Sequence, residues 1–156
     1  MANCGVRQAQ SADRDEIAEM CALLWPETSM AEHGEAVAAV MTSGMSGTLP
    51  GAILVSYDGD GALTGFIEVG LRSHADGCDT AVPVGFVEGW FVYEPFRERG
   101  IGRELIRAAE QWARMQGCVE MASDTWIDDE RSQRAHEALG YEVVDRCVHF
   151  RKSVKA

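Results

Sequence analysis

The sequence predicts an α/β (α+β) fold, a central mixed β-sheet with helices on both faces. Three observations predict it. Strand-like and helix-like segments alternate along the chain, the central stretch passes directly from a strand into a helix, and no internal repeat or linker interrupts the 156 residues. A chain of this length usually forms one domain that buries roughly two-thirds or more of its unfolded surface. We therefore expect a single domain over residues 1–156.

Composition excludes several classes of protein. The chain is 46% hydrophobic and 25% charged, as soluble globular proteins are. No apolar run approaches the ~18 residues that a membrane span needs, and the N-terminal stretch MANCGVRQAQSADRDE lacks the apolar core of a signal peptide. We therefore expect a cytoplasmic protein without a membrane partner. The scattered cysteines form no C-x-x-C pair, which indicates neither a metal site nor a disulfide framework.

The charge balance bears on the partner. The formal net charge is −11, with 25 acidic against 14 basic side chains. Nucleic acid is not expected to bind, because phosphate contacts need clustered Lys and Arg. A cationic substrate would suit an acidic cleft. The alternative is that the acidic surface only keeps the protein soluble, and the positions of the carboxylates must decide.

The first half of the chain predicts a strand, two helices and a β-hairpin. Asp13 with Glu16 matches a capping box at the start of the first helix, and Pro26 ends that helix. The stretch Asp58-Gly59-Asp60-Gly61 matches a hairpin turn. The predicted elements are a strand at 5–10, helices at 13–25 and 30–42, and strands at 52–57 and 63–71.

The second half starts with the stretch around which the fold is organised. Residues 86–93 are rich in aromatic and β-branched side chains and predict a strand, which Pro95 ends. After a turn at 97–102, apolar residues at helical spacing predict a helix that Gly117 caps. The remaining predicted elements are a polar loop at 72–83, a strand at 118–123, a loop at 124–129, a helix at 130–139 and a last strand at 141–152.

The turn between this strand and helix has the features of an anion site. Its pattern is Arg97-x-x-Gly100-x-Gly102, directly before a helix N-terminus whose first amides have no intrahelical acceptor. Neither the P-loop pattern nor G-x-G-x-x-G is present. The alternative interpretation is an ordinary glycine-rich turn.

In this context the pattern resembles the R/Q-x-x-G-x-G/A signature of the Gcn5-related N-acetyltransferases, the GNAT superfamily. The resemblance implies the GNAT acyl-CoA N-acyltransferase fold, acetyl-CoA as cosubstrate and its pyrophosphate at this turn. The central strand could also direct its amides at the thioester and the pantetheine arm. The predicted cofactor-binding residues are Trp90, Phe91, Val92, Arg97, Glu98, Arg99, Gly100, Ile101, Gly102 and Arg103.

Further stretches resemble the aminoglycoside 6′-N-acetyltransferases within that superfamily. They are Leu24-Trp25-Pro26, Gly77-Cys78-Asp79, Val87-Glu88-Gly89, Gly117-Cys118 with residues 120–125, and Ser132-Gln133…His136 with residues 138–142. The resemblance implies direct acetyl transfer to the 6′-amine of an aminoglycoside in a ternary complex, with no metal and with a possible homodimer. Two rivals are a related catalyst acting on a protein N-terminus, a lysine or a polyamine, and a non-catalytic CoA-binding module.

Candidate site residues follow from position and from this resemblance. Glu88 lies within an apolar strand, where a carboxylate is costly unless it has a partner or a task. The resemblance implies that it binds the amino sugar and accepts the ammonium proton through water; the alternative is a structural carboxylate. Asp124 ends a strand and matches an ammonium-binding position, with a catalytic role implied, and Glu142 matches another substrate contact. Trp25 either walls the sugar pocket or packs in the core, and His74 falls near an aromatic position of the family.

Two further side chains have competing interpretations. His136 stands where many acetyltransferases carry a tyrosine that protonates the leaving thiolate, so it is a candidate proton donor or CoA contact. A histidine on the inward face of an amphipathic helix is otherwise a hydrogen-bonded core residue. Cys118 could carry an acyl group, but no neighbouring His-Asp pattern accompanies it, so we interpret it as structural.

Overall fold

A six-stranded mixed sheet organises the first part of the chain in the computed structural model, which describes residues 4–155. Its strands are β1 (Gly5–Gln8), β2 (Met45–Ser46), β3 (Leu49–Tyr57), β4 (Leu63–Arg72), β5 (Val84–Val92) and β6 (Met121–Ser123). The order is β1-β3-β4-β5-β6, with β2 paired to β3. All neighbours are antiparallel except β5 and β6, which are parallel. This arrangement confirms the predicted mixed sheet.

Two helices cover one face of this sheet. They are α1 (Arg14–Leu24) and α2 (Met30–Ser43). Ile17 and Met20 of α1 and Val37 of α2 pack with Val55 and Phe66 in one buried cluster. Burying a side chain of this size contributes about 1.5–3 kcal/mol, so this cluster is a main source of stability.

The third helix covers the opposite face. It is α3 (Ile101–Met115), whose buried side chains recur at helical spacing: Leu105, Ile106, Ala109 and Ala113. Ala113 packs with Leu71, which faces away from Phe66 because side chains alternate along a strand. The predicted helices on both faces are therefore confirmed.

The register between β4 and β5 is interrupted beside Glu88. Glu68 pairs with Gly89, but the next residue, Val69, pairs with Val87, so Glu88 is the extra residue of a β-bulge. A bulge bends its strand and redirects a side chain, and such bulges recur beside active sites. The alternation of side chains that the sequence predicts through residues 86–93 therefore breaks at the glutamate.

Two local predictions for this part of the chain need correction. Asp13 makes no capping bond to α1; its carboxylate instead accepts hydrogen bonds from Arg7 and from the Gln10 amide. The second is the short hairpin of β2 with β3, which lies in a stretch, 43–51, that the sequence predicts as a turn-rich connection before the strand at 52–57. Proline is tolerated there because β2 is only a short ladder at the strand end.

Residues 124–155 form a second unit. Its helix is α4 (Glu130–Glu137), which the Asp129 side chain caps by accepting a hydrogen bond from the Ser132 amide at 2.9 Å. The predicted last strand at 141–152 is wrong: residues 141–155 contain no helix or strand, and the side chains from Glu142 onwards are exposed. An alternating apolar pattern forms a strand only where a neighbouring strand supplies hydrogen bonds. Among residues 4–155, no helix combines the length and apolar character needed to span a membrane.

Candidate functional site

A cavity of about 460 Å³ opens beside the bulge of β5. Its polar lining includes Ser46 from β2, Arg72 at the end of β4, His74 from the following loop and Glu88. The structure therefore brings together two of the predicted substrate residues, Glu88 and His74. The histidine Nδ1 lies 3.0 Å from the Ser73 hydroxyl, which orients the ring at the cavity edge.

Arg72 holds the Glu88 carboxylate at two points. Its Nε donates to one carboxylate oxygen at 3.1 Å, and a terminal nitrogen donates to the other at 2.7 Å. The guanidinium also lies over the Phe86 ring, 3.4 Å from the ring centre. A planar guanidinium matches a carboxylate in this way and fixes its orientation. Sequence reasoning missed Arg72, although it ends the strand that neighbours Glu88.

Glu68 is a second carboxyl group in the same region. Glu68 is partly exposed, whereas all the remaining residues from Leu63 to Leu71 are buried. Burial raises the pKa of the Glu68 carboxyl, the nearby charge of Glu88 raises it further, and a hydrogen bond with Ser46 acts in the opposite direction. Sequence reasoning missed this residue as well. The argument from a carboxylate within an apolar strand applied to it as much as to Glu88.

Trp25 lies at the end of α1, over Gly89 of β5. A Cβ atom at Gly89 would collide with the indole ring, so the ring and the strand approach each other only because this residue is glycine. The Trp25 carbonyl accepts a hydrogen bond from Nε2 of the buried His33, at 3.0 Å. The indole is half-buried and also packs against the apolar cluster beneath it. Trp25 thus belongs to the core and stands next to Glu88 along the sheet.

The polar loop after β4 is hydrogen-bonded to the segment that directly precedes β6. An oxygen of the Glu120 carboxylate accepts a hydrogen bond from the Asp79 amide at 2.7 Å. The loop stretch Gly77-Cys78-Asp79 and the stretch that contains Glu120 are therefore in contact. This contact gives both stretches a structural role.

The turn before α3 has the backbone geometry of an anion site. Gly100 is left-handed with φ 82°, and Glu98 adopts φ 62°, which costs a non-glycine residue about 1–2 kcal/mol. The Glu104 amide makes the first helical bond, to the Gly100 carbonyl at 3.1 Å. The amides of Ile101, Gly102 and Arg103 precede that bond and therefore have no acceptor within the helix. Space in front of Gly100 is open: a Cβ there would meet no atom within 4 Å.

The other predicted residues of this turn have distinct positions. A Cβ at Gly102 would lie 2.9 Å from the Trp90 indole, so glycine permits the close approach of α3 to β5. Arg97 donates from Nε to the Val92 carbonyl at 2.7 Å, which braces the turn against the strand. Arg99 and Arg103 are exposed and add positive charge beside the open space.

The C-terminal half of β5 lies beyond the ladder with β6. That ladder pairs Gly85, Phe86 and Val87 with residues 121–123. In the part of the chain that the structure describes, residues 88–92 make no ladder with β6. This edge holds the predicted residues Trp90, Phe91 and Val92 and leads directly to the turn before α3.

The remaining predicted residues lie in the second unit, 124–155. Asp124 and Glu142 are exposed, and Gly140, with φ 89°, ends the helical segment two residues before Glu142. His136 is partly buried, with Nδ1 2.7 Å from the Ser132 carbonyl. A carbonyl only accepts, so Nδ1 carries a hydrogen in this contact. The histidine ring meets the Tyr141 ring edge-on at 5.7 Å.

Three cysteines of the first unit, Cys21, Cys78 and Cys118, are poor nucleophiles. Burial raises the pKa of Cys118, and burial followed by the charge of Glu68 raises the pKa of Cys21 to about 12. Burial also raises the pKa of Cys78. A thiol attacks as the thiolate, which is scarce at neutral pH under these conditions. The structural interpretation of Cys118 is consistent with this environment.

Comparison with known proteins finds one family over most of the chain. The model of the acetyltransferase (GNAT) family matches residues 17–141. A protein from Klebsiella aerogenes named aminoglycoside N(6′)-acetyltransferase type 1 is 36% identical over 147 residues, covering 94% of this chain and 95% of that relative.

Solved structures agree with this match. AAC(6′)-Iy in complex with the bisubstrate analog CoA-S-monomethyl-acetylneamine is 33% identical with a TM-score of 0.82, covering 97% of this chain and 99% of that chain. AAC(6′)-Iy in complex with CoA is 32% identical with a TM-score of 0.86, covering 97% and 96%. The fold of residues 4–155 is thus similar to that of proteins crystallised with CoA.

Proposed function

Because the chain belongs to the GNAT acetyltransferase family, we propose that it transfers the acetyl group of acetyl-CoA to the 6′-amine of an aminoglycoside antibiotic. One observation carries the proposal: a single strand, β5, presents the Glu88 carboxylate to a polar cavity and then leads into the glycine turn of α3. A cationic amine and an anionic acyl donor could therefore meet along one strand. Relatives with this activity at 36% identity support the choice of substrate.

The turn before α3 fits the pyrophosphate of acetyl-CoA. The open space at Gly100, the first-turn amides and the exposed Arg99 and Arg103 together offer hydrogen-bond donors and positive charge. Bound acetyl-CoA supplies the acetyl group as a thioester. Residues 90–92, which lie beyond the β6 ladder, would bind the arm that connects the two ends of the cosubstrate, with Glu98 and Ile101 shaping the turn.

The cavity beside the bulge fits an ammonium group of the drug. Glu88 provides a fixed carboxylate there, with His74 at the cavity edge and Trp25 over the neighbouring Gly89. In the second unit, we assign Asp124 and Glu142 to further ammonium groups. We assign His136 to the CoA thiol side, as a proton donor or a CoA contact.

Direct transfer within a ternary complex requires no acyl-enzyme. The raised pKa values of Cys21, Cys78 and Cys118 support it, because none of these thiols is activated. The amine must lose a proton before it attacks, so a nearby carboxylate is more useful to this reaction than a nucleophile.

Assembly and location complete the proposal. We propose a homodimer, supported by the exposed apolar side chains that recur along the C-terminal segment: Val143, Val144, Val148, Phe150 and Val154. We also propose a cytoplasmic location, because the described cysteines are all free and thiols persist in reducing compartments. Light scattering and cell fractionation test these two points, and a monomer or a secreted protein would contradict them.

The experiment that tests the function uses the purified protein, acetyl-CoA and kanamycin. We expect CoA release that depends on kanamycin and a product acetylated on the 6′ nitrogen, as mapped by NMR. Peptides with free N-termini, lysine and spermidine serve as competing acceptors. Faster acetylation of one of these amines, or acetylation of a different drug nitrogen, would contradict the proposal.

A further inference from the structure

We propose that Glu68 accepts the proton of the substrate's reacting ammonium group, directly or through one water, while Glu88 binds the substrate. This inference rests on the proposed function, because it names the group that frees the amine for acetyl transfer. None of the sequence patterns or the comparisons assigns a role to Glu68.

The position of Glu68 connects it to the cavity. It faces Gly89 across the sheet, at the register shift that makes Glu88 the bulged residue. Its hydrogen-bond partner Ser46 and its bulged neighbour Glu88 both line the cavity. Two features allow Ser46 and Glu88 to lie close to Glu68. Gly70 of β4 has no side chain to displace Ser46, and the bulge redirects Glu88. Glu68 is also the one partly exposed residue between Leu63 and Leu71.

The two carboxylates differ in their partners. Both oxygens of Glu88 accept hydrogen bonds from Arg72, so protonation of Glu88 would sacrifice one of these bonds. Among residues 4–155, no Lys, Arg or His forms a salt bridge with Glu68. Its charge is therefore not compensated by a fixed cation. A substrate ammonium group would compensate it on binding, and a proton would do so after transfer.

The surroundings of Glu68 suit a proton acceptor. The titratable or charged groups that face it are Glu88 from β5, Arg72 through its pair with Glu88, and Cys21 from α1; Ser46 from β2 donates a hydrogen bond. Burial and the Glu88 charge raise the pKa of Glu68, and the opposing effect of Ser46 is smaller. A carboxylate whose pKa moves towards neutrality is a stronger base and still ionised often enough to act.

The proton transfer balances without any further reactant. The N–H bond of R–NH₃⁺ breaks, its electron pair stays on nitrogen, and an O–H bond forms on the Glu68 carboxylate. The neutral amine then has the lone pair that attack on a thioester requires. The second N–H proton leaves with the CoA thiol as the amide forms, and Glu68 returns its own proton to water.

The test compares Glu68→Gln with Glu68→Asp and with the control Glu35→Gln, which removes an exposed charge on α2. At neutral pH, we expect kcat/KM to fall about 100-fold in Glu68→Gln, less in Glu68→Asp and hardly at all in the control. The deficit should shrink as pH rises, because free amine then exists without an enzyme base. If kcat/KM of Glu68→Gln changed with pH in parallel with that of the wild type, the inference would be overturned.

Two further measurements separate this inference from the proposed function and from misfolding. Carbon-13 NMR of the glutamate carboxyls in the free enzyme should show Glu68 titrating above the ordinary range, and a value within that range overturns the inference alone. A wild-type enzyme that acetylates no aminoglycoside overturns both. Thermal unfolding should find Glu68→Gln at least as stable as the wild type, because it removes a partly buried charge that no salt bridge offsets. A loss of stability in Glu68→Gln would indicate a purely structural role.

Discussion

Arg72 and Glu88 form a two-point ion pair across β4 and β5, with hydrogen bonds of 3.1 and 2.7 Å. The pair is at the cavity wall: 43% of the Arg72 side chain is exposed, against 22% for Glu88. Solvent reduces the strength of such a pair, so its main effect is to fix the direction of the carboxylate. A substrate ammonium group would meet a preoriented oxygen rather than a mobile side chain.

The first prediction concerns this pair. In a double-mutant cycle with Arg72→Gln and Glu88→Gln, we expect a coupling of about 0.5–1 kcal/mol in the free energy of unfolding. Glu88→Gln should weaken aminoglycoside binding about tenfold, because it removes a charge-assisted hydrogen bond. Calorimetry measures the binding, and acetyl-CoA affinity is the internal control. Unchanged drug affinity in a folded Glu88→Gln variant would remove Glu88 from the substrate site.

The second prediction concerns the turn before α3. Gly100→Ala should lower acetyl-CoA affinity at least about tenfold, because its methyl group would occupy open space at the turn that we assign to the pyrophosphate. The left-handed backbone at φ 82° should also cost about 1–2 kcal/mol of stability. Isothermal calorimetry and chemical unfolding measure the two effects.

Gly117 supplies a matched control at the other end of the same helix. It has φ 90°, and a Cβ there also meets no atom within 4 Å. Gly117→Ala should therefore lose a similar amount of stability and keep its acetyl-CoA affinity. If both variants bind acetyl-CoA equally well, the turn is an ordinary glycine-rich connection.

The sequence predicted the sheet and the glycine turn because both depend on local patterns. Aromatic and β-branched residues favour strands, and a glycine before an amphipathic helix is a local signal. The bulge at Glu88 has no such signal, since it depends on how two strands align. Arg72 became visible only once β4 lay beside β5, whereas Glu68 carried the same sequence signal as Glu88, a carboxylate within an apolar strand.

The third prediction concerns the contact between Trp25 and Gly89. Gly89→Ala should displace the indole ring, destabilise the protein by about 1–3 kcal/mol and raise KM for the aminoglycoside, with acetyl-CoA affinity unchanged. Trp25→Phe removes the ring atoms nearest to Gly89. The double variant should therefore lose less unfolding free energy than the sum of the losses in the two single variants. Strict additivity would contradict a direct contact between the two residues.

Two other differences between sequence and structure have physical causes beyond local pattern. The segment 141–152 alternates like a strand, yet a strand forms only through ladder hydrogen bonds to a neighbour, and this segment forms no ladder among the described residues. Asp13 matches a capping box with Glu16, but Arg7 on β1 competes for its carboxylate. An ion pair with a residue of the preceding strand cannot be inferred from helix spacing.

The last prediction concerns the pH dependence of stability at Asp13. Its carboxylate accepts hydrogen bonds from Arg7 at 2.6 and 3.0 Å and from the Gln10 amide at 2.7 Å. The Arg7 hydrogen bond is the largest effect on the pKa of Asp13 and lowers it, against the opposing effect of burial. The folded protein therefore binds the Asp13 proton less readily than the unfolded chain, and this favours folding at neutral pH.

The sign of the effect gives the pH window. The contribution of Asp13 is fully present above the ordinary aspartate pKa and is lost as pH falls through the lowered folded value. Asp13→Asn should therefore cost about 1–2 kcal/mol of unfolding free energy at neutral pH, and the gap to the wild type should close under acidic conditions. Urea unfolding of both proteins across this range measures the gap, with the exposed Asp15→Asn as control. A gap that stays constant with pH would mean that Asp13 acts through packing rather than through its charge.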